Sequence, residues 1–115
     1  MNGNLSRIVG TGSFLPGRLV DNQEVADLLG IEPSYIFRVS GIRTRFWADS
    51  QEECSFLAEQ ATRRALDQAG LVPEDLDAIL VSSTSPEMSF PSTACLLQAR
   101  LGIQGMPAFD LSASC

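Results

Sequence analysis

The sequence predicts an α/β fold with a mainly parallel sheet and helices on both faces. This prediction rests on two successive pairs of helix and strand in the second half of the chain. An alanine-rich helical pattern from Gln51 to Ala69 precedes the apolar run 78–82, and a helical pattern from Pro91 or Ser92 to Leu101 precedes the strand 108–111. Such alternation favours right-handed crossovers and parallel strands, with functional residues at the carboxyl ends of the strands.

The first predicted element is a strand from Ser6 to Leu15. Its two glycines, Gly10 and Gly12, indicate a close approach of the backbone to a neighbouring element. A nucleotide-binding loop is a weak interpretation, because no third glycine follows at the required offset.

Two short helices and an extended segment are predicted next. Asp21 begins the first helix, whose first turn is acidic, and Gly30 ends it. The second helix begins near Pro33 and ends before Gly41, and the alternating residues 42–47 are expected to be extended.

Polar residues and glycines predict the limits of the later elements. Ser50 and Glu53 form a capping-box pattern for the helix from Gln51, and Gly70 is expected to end that helix. Gly102 is expected to end the next one. The apolar run 78–82 is predicted to be a fully buried strand.

The composition excludes several classes of protein. A net charge of −6 argues against nucleic-acid binding. Cys54, Cys95 and Cys115 have no regular spacing and no histidine beside them, so neither a disulfide framework nor a zinc site is expected. No targeting or membrane-spanning segment is recognised, and a reduced, soluble, cytoplasmic protein is expected.

Cys115 is the candidate nucleophile. The small residues 112–114 join the last strand to Cys115 and would permit a sharp turn into a helix. The amino end of such a helix would lower the pKa of the thiol and supply a donor to an oxyanion. The chain has no histidine to act as a base. Cys115 is therefore either an ordinary buried thiol or part of a longer enzyme whose other catalytic groups lie elsewhere.

Several short motifs resemble one enzyme family in their order and spacing. They are Ile8–Pro16, Gly41–Arg45, Ala65–Gly70, Ser83–Ser85, Phe90–Cys95 and Ala108–Cys115. Over essentially its whole length the chain resembles the N-terminal part of β-ketoacyl-acyl-carrier-protein synthase III, a branch of the thiolase superfamily. The resemblance implies a thiolase-like layered fold, in which residues 1–115 are the N-terminal portion of the first half and the remainder is not in this chain.

The resemblance also implies an activity. Cys115 matches the residue that takes an acyl primer from a thioester, usually acyl-CoA. Malonyl-acyl-carrier protein then condenses with this primer by a decarboxylative Claisen reaction that initiates fatty-acid synthesis. The family uses a later histidine and asparagine, acts as a homodimer, and needs no metal or cofactor beyond the CoA thioester that is its substrate.

Three further residues are candidates for substrate binding. Phe90 matches the residue that reaches across the dimer and lines the partner's acyl pocket, although an ordinary core aromatic is the alternative. Tyr35 takes the place of a tryptophan that, with an arginine, sandwiches the adenine of CoA. Val39 stands at a further arginine position, and Arg38 lies one residue earlier, about 100° around the helix. The alternative is that Tyr35 and Arg38 only form part of the surface of a short helix. Because this chain departs from the family at these positions, an acyl-carrier protein remains open as the donor of the primer.

Three other functions remain open from the sequence. The first two are an acyltransferase of specialised metabolism that is similar to ketosynthase III, and an acyltransferase similar to HMG-CoA synthase. The third belongs to another class, a non-catalytic fragment or subunit.

Overall fold

The structure is a computed structural model that describes residues 5–112. In chain order its elements are β1 (Arg18–Asp21), α1 (Asn22–Leu29), α2 (Pro33–Ser40), β2 (Thr44–Trp47), α3 (Cys54–Ala69), a short 3-10 helix (Pro73–Asp75), β3 (Ile79–Ser82), α4 (Thr93–Leu101) and β4 (Ala108–Leu111).

The described residues form two compact units. The first unit contains residues 5–14 and 53–112, and the second unit is Leu15–Glu52. In the second unit β1 and β2 are antiparallel, and α1 and α2 lie between them in sequence. In the first unit β3 and β4 are parallel, with Ile79 opposite Ala108, and α4 forms the crossover between them.

The parallel pair and its helical crossover confirm the predicted α/β class. The pair β1–β2 differs from the mainly parallel sheet that was expected. The helices α1 and α2 pack on each other between the two strands in sequence, and Asp21 at the end of β1 lies opposite Thr44 at the start of β2, so the chain returns antiparallel to β1.

The core of the first unit lies between α4 and the parallel strands. Its buried side chains are Ile79, Ala94, Leu97, Leu101 and Ile103. The prediction of a fully buried β3 is wrong for the described residues, because Leu80 is 54% exposed and its neighbour Phe109 is 45% exposed. Successive side chains of a strand point to opposite faces, and only the face towards α4 is covered by described residues.

Residues 5–16 form no regular strand, contrary to the strand predicted from Ser6 to Leu15. Gly10 and Gly12 of this segment lie against the helix α3, and no strand among residues 5–112 pairs with the segment. The inferred close approach is nevertheless confirmed. A methyl group added at Gly12 would overlap the carbonyl oxygen of Ala61 and lie 2.6 Å from the backbone nitrogen of Ala65.

The start of α3 differs from its prediction. The helix begins at Cys54 rather than Gln51, and no side chain caps it from Glu53, so the predicted capping box is wrong. Asp49 explains why α3 begins three residues later than predicted, because its carboxylate accepts a hydrogen bond from the backbone N–H of Gln51 at 2.7 Å. Such a local bond stabilises a turn at the expense of the helix.

The other predicted helix limits agree with the structure. The Asp21 carboxylate caps α1 by accepting the N–H of Glu24 at 2.9 Å. Gly30, Gly70 and Gly102 end their helices in the left-handed conformation that glycine adopts without a steric penalty.

Candidate active site

The strand β4 leads towards the candidate nucleophile. It ends at Leu111, and Cys115 follows four residues later. Cys115 lies outside the described residues, and so do the turn and helix start that were predicted around it. The structure therefore describes the strand that precedes the candidate nucleophile, and sites in α/β sheets gather at the carboxyl ends of parallel strands.

Asp110 joins β4 to the amino end of α4. One carboxylate oxygen accepts the backbone N–H of Thr93 and the other accepts that of Ala94, each at 2.8 Å. Ser92 caps the same helix from within, because its hydroxyl accepts the N–H of Cys95 at 3.2 Å. These bonds satisfy three of the N–H groups that a helix start leaves without an internal partner.

Two further contacts hold α4 against the segment around β4. The side-chain amide of Gln98 donates to the carbonyl oxygen of Met106 at 3.1 Å. The thiol of Cys95 lies 3.6 Å from the carbonyl oxygen of Ala108. Cys95 is half-buried between these two elements.

Phe90 lies on the connection between β3 and α4 and is 87% exposed. It is not a core aromatic of the described residues, which was the alternative interpretation. The same connection is fastened to α3 through Glu87, whose carboxylate accepts the backbone N–H of Ser55. An aromatic ring that protrudes from an anchored connection is suited to contact a partner or a ligand.

Tyr35 and Arg38 come together on α2. The Arg38 guanidinium carbon lies 5.4 Å from the centre of the Tyr35 ring, because residues three apart are neighbours on a helix surface. A cavity of about 700 Å³ opens at this point, and its lining residues are Gly30, Ile31, Glu32, Ser34, Tyr35 and Arg38.

The predicted site residues are thus found in separate places. Tyr35 and Arg38 form one pair in the second unit, Phe90 belongs to the first unit, and Cys115 is outside the described range. The sequence alone did not indicate that Asp110 links β4 to the start of α4. The available signal was a single carboxylate in an otherwise apolar strand, since such a group needs hydrogen-bond partners when it is partly buried.

Residues 5–112 contain neither a candidate metal site nor a candidate membrane-spanning helix. No group of three or more His, Cys, Asp or Glu residues in this range could hold a metal ion. None of the helices described in this range has the length and apolar character needed to span a membrane.

Proteins named β-ketoacyl-[acyl-carrier-protein] synthase III are similar to this chain, although no protein-family model matches it. A β-ketoacyl-[acyl-carrier-protein] synthase III of Methylococcus capsulatus is 46% identical over 110 residues, which are 96% of this chain and 34% of that protein. The crystal structure of 3-oxoacyl-[acyl-carrier-protein] synthase III from Aquifex aeolicus matches with a TM-score of 0.86 and 40% identity, over 92% of this chain and 34% of that one.

The priming β-ketosynthase of the R1128 polyketide pathway matches with a TM-score of 0.87 and 34% identity, over 93% of this chain and 32% of that one. These structural matches confirm the predicted thiolase-like fold class. The chain spans about one third of the length of the curated relatives that it matches. Over nearly its whole length, this chain is homologous to the β-ketoacyl-acyl-carrier-protein synthase III proteins, as its motifs predict.

Proposed function

We propose that the protein containing this chain is a condensing acyltransferase that makes 3-oxoacyl-acyl-carrier protein. The observation that carries the proposal is the 46% identity to a synthase III over 96% of the chain. The parallel pair β3–β4, which directs the chain towards Cys115 at its carboxyl end, supports the same activity.

In the proposed first step the Cys115 thiolate attacks the carbonyl carbon of an acyl-CoA. A bond forms between sulfur and carbon, and CoA leaves as its thiolate. In the second step malonyl-acyl-carrier protein loses carbon dioxide, and the electron pair of the broken bond attacks the acyl carbon. The Cys115 thiolate then leaves, so that the enzyme is regenerated.

The assembly that we propose follows the same family. Residues 1–115 would be the N-terminal segment of a thiolase-like ketosynthase domain, and a histidine and an asparagine of its remainder would stabilise the developing enolate oxygen. We propose a cytoplasmic homodimer that uses acyl-CoA and malonyl-acyl-carrier protein and no metal. The high exposure of Phe90 supports its role in the partner's acyl pocket, because a ring that points into solvent is free to enter another subunit.

We further propose that the cavity beside Tyr35 receives the adenine of the acyl-CoA. The Tyr35 ring is 47% exposed and can stack on a purine. Arg38 adds a positive charge that suits the phosphates of CoA. The cavity volume of about 700 Å³ lies within the range of small-molecule sites, roughly 300–1,000 Å³.

Incubating the complete protein with acyl-CoA donors of several chain lengths is expected to place an acyl group on Cys115. Intact-mass and peptide mass spectrometry would locate the adduct, with iodoacetamide-blocked protein as the control. A Cys115 that stays unmodified with every CoA and carrier-protein donor would argue for the non-catalytic alternative.

Tyr35→Ala is expected to raise KM for acyl-CoA by about tenfold and to leave kcat unchanged. Stacking on a base contributes about 1–3 kcal/mol, and the substitution removes the ring. Tyr35→Trp is the matched control, because it keeps an aromatic face. Steady-state kinetics would measure KM for acyl-CoA and KM for an acyl-carrier-protein donor, which has no adenine. An equal rise in both KM values would contradict adenine binding at Tyr35.

A priming ketosynthase of specialised metabolism is the second candidate. The match to the R1128 priming β-ketosynthase, with a TM-score of 0.87, favours it, and so does Tyr35 in place of the family tryptophan. Both candidates share the adduct on Cys115. The acyl group that transfers fastest would distinguish them, since a fatty-acid enzyme and a specialised enzyme differ in the primer that they select.

A further inference from the structure

We infer that Asp110 is a positioning residue that fixes the segment leading to Cys115 against the start of α4. The inference rests on the proposed function, because it assigns Asp110 to the placement of the proposed nucleophile. Asp110 precedes Cys115 by five residues, and its partner Thr93 follows Phe90 by three. One carboxylate thus joins the segments that carry two candidate site residues.

The link between β4 and α4 consists of two hydrogen bonds to one carboxylate. Each oxygen of Asp110 accepts one backbone N–H, from Thr93 and Ala94, at 2.8 Å. Two hydrogen bonds to one planar carboxylate restrict its rotation as well as its distance, and bonds to a charged acceptor are stronger than neutral ones. The negative charge also lies at the positive end of the α4 dipole, where it is favoured.

The burial pattern of β4 supports the same assignment. Asp110 is half-buried and alternates with Phe109 and Leu111, which are exposed on the other face of the strand. It lies on the face of Ala108, which packs against the core cluster. A carboxylate on the core-facing side of an apolar strand needs the bonds that α4 provides, so its place is defined by the helix.

An ordinary helix cap would act differently. Ser92 stabilises the amino end of α4 from within the helix and makes no link of this kind to β4. Asp110 stabilises the same end from another element. Removing either group weakens the start of α4, whereas the loss of Asp110 also removes a link between α4 and the strand that precedes Cys115.

In the complete protein, Asp110→Asn is expected to lower the first-order rate of Cys115 acylation by about ten- to a hundredfold, since small misplacements of a reacting group have effects of this size. Asparagine keeps one acceptor oxygen and turns an amide towards the second N–H. The KM for the acyl donor is expected to stay unchanged, because Tyr35 and Arg38 belong to the other unit. Asp110→Glu should recover part of the rate, because it keeps both acceptors and the charge.

Ser92→Ala is the matched control, and we expect its acylation rate to stay within about twofold of the wild type, since weakening one cap bond costs stability rather than alignment. All rates are measured well below the unfolding temperature of each variant. If Asp110→Asn differs from the wild type no more than Ser92→Ala does, the positioning role is wrong while the proposed function stands.

A wild-type Cys115 that accepts no acyl group would instead contradict the proposed function. In that case the alkylation rate of Cys115 by iodoacetamide is compared among the same variants. A rate altered at least fivefold in Asp110→Asn and unaltered in Ser92→Ala would still support placement by Asp110, and equal rates would overturn it. If Asp110→Asn does not fold, the rate of Asp110→Glu is compared with that of Ser92→Ala instead. A rate of Asp110→Glu that differs from the wild type more than that of Ser92→Ala supports positioning by Asp110, and equal rates overturn it.

Discussion

Cys115→Ser is expected to abolish acyl transfer and condensation, lowering the rate by about a thousandfold or more, because removing a nucleophile has the largest effect among catalytic substitutions. A serine hydroxyl stays protonated near neutral pH, whereas a thiol at a helix start forms the reactive thiolate. The side chain keeps nearly the same size, so the fold should be retained. Formation of 3-oxoacyl-acyl-carrier protein measures the activity, and circular dichroism measures the fold.

Cys54→Ser is the matched control for this experiment. Cys54 is half-buried at the start of α3, and its thiol lies 3.7 Å from the hydroxyl of Ser83. We have no role for this thiol in the reaction, so we expect the variant to keep its activity. Condensation that persists in Cys115→Ser would place the nucleophile at another residue.

Gly12→Ala is expected to destabilise the complete protein by about 3 kcal/mol or more, at the upper end of what overpacking costs. The added methyl group would meet backbone atoms of Ala61 and Ala65, and backbone cannot rotate away as a side chain can. The unfolding midpoint in urea, at unchanged slope, measures the loss.

The matched control is Gly17→Ala. The nearest atom to a methyl group at Gly17 is a carboxylate oxygen of Glu52 at 3.8 Å, an ordinary contact. Alanine also keeps the backbone N–H that donates to this oxygen at 3.0 Å. The expected change is within about 0.5 kcal/mol, as for other surface substitutions. Equal stability of the two variants would show that Gly12 does not lie against α3.

The alanines of α3 explain why the contact at Gly12 is so close. Ala61, Ala65 and Ala69 recur every fourth residue and therefore form one stripe of the helix. Gly10 and Gly12 lie on this stripe, where the absence of side chains lets the chain approach the helix backbone. The sequence predicts that the backbone at these glycines lies close to a neighbouring element, but it does not indicate that this element is α3.

The strands before α1 were harder to predict than those after it. The strand β1, Arg18–Asp21, carries two charged residues among four and shows no apolar run. It is a strand because β2 pairs with it, with Arg18 opposite Trp47 and Asp21 opposite Thr44. The segment around Ile8 and Val9 has a better strand pattern and forms none, because no strand among residues 5–112 pairs with it.

The sequence by itself determined where the helices end and which family the chain resembles. Both depend on residues that act locally or in a recognisable order, such as Gly70 after α3 or Phe90–Cys95 before the last strand. Only the tertiary structure decided that Asp110 holds α4 and that Gly12 lies on α3. These contacts join residues 16 or more positions apart. A local sequence pattern indicates that a residue needs a partner, but it does not specify which residue the folded chain brings near.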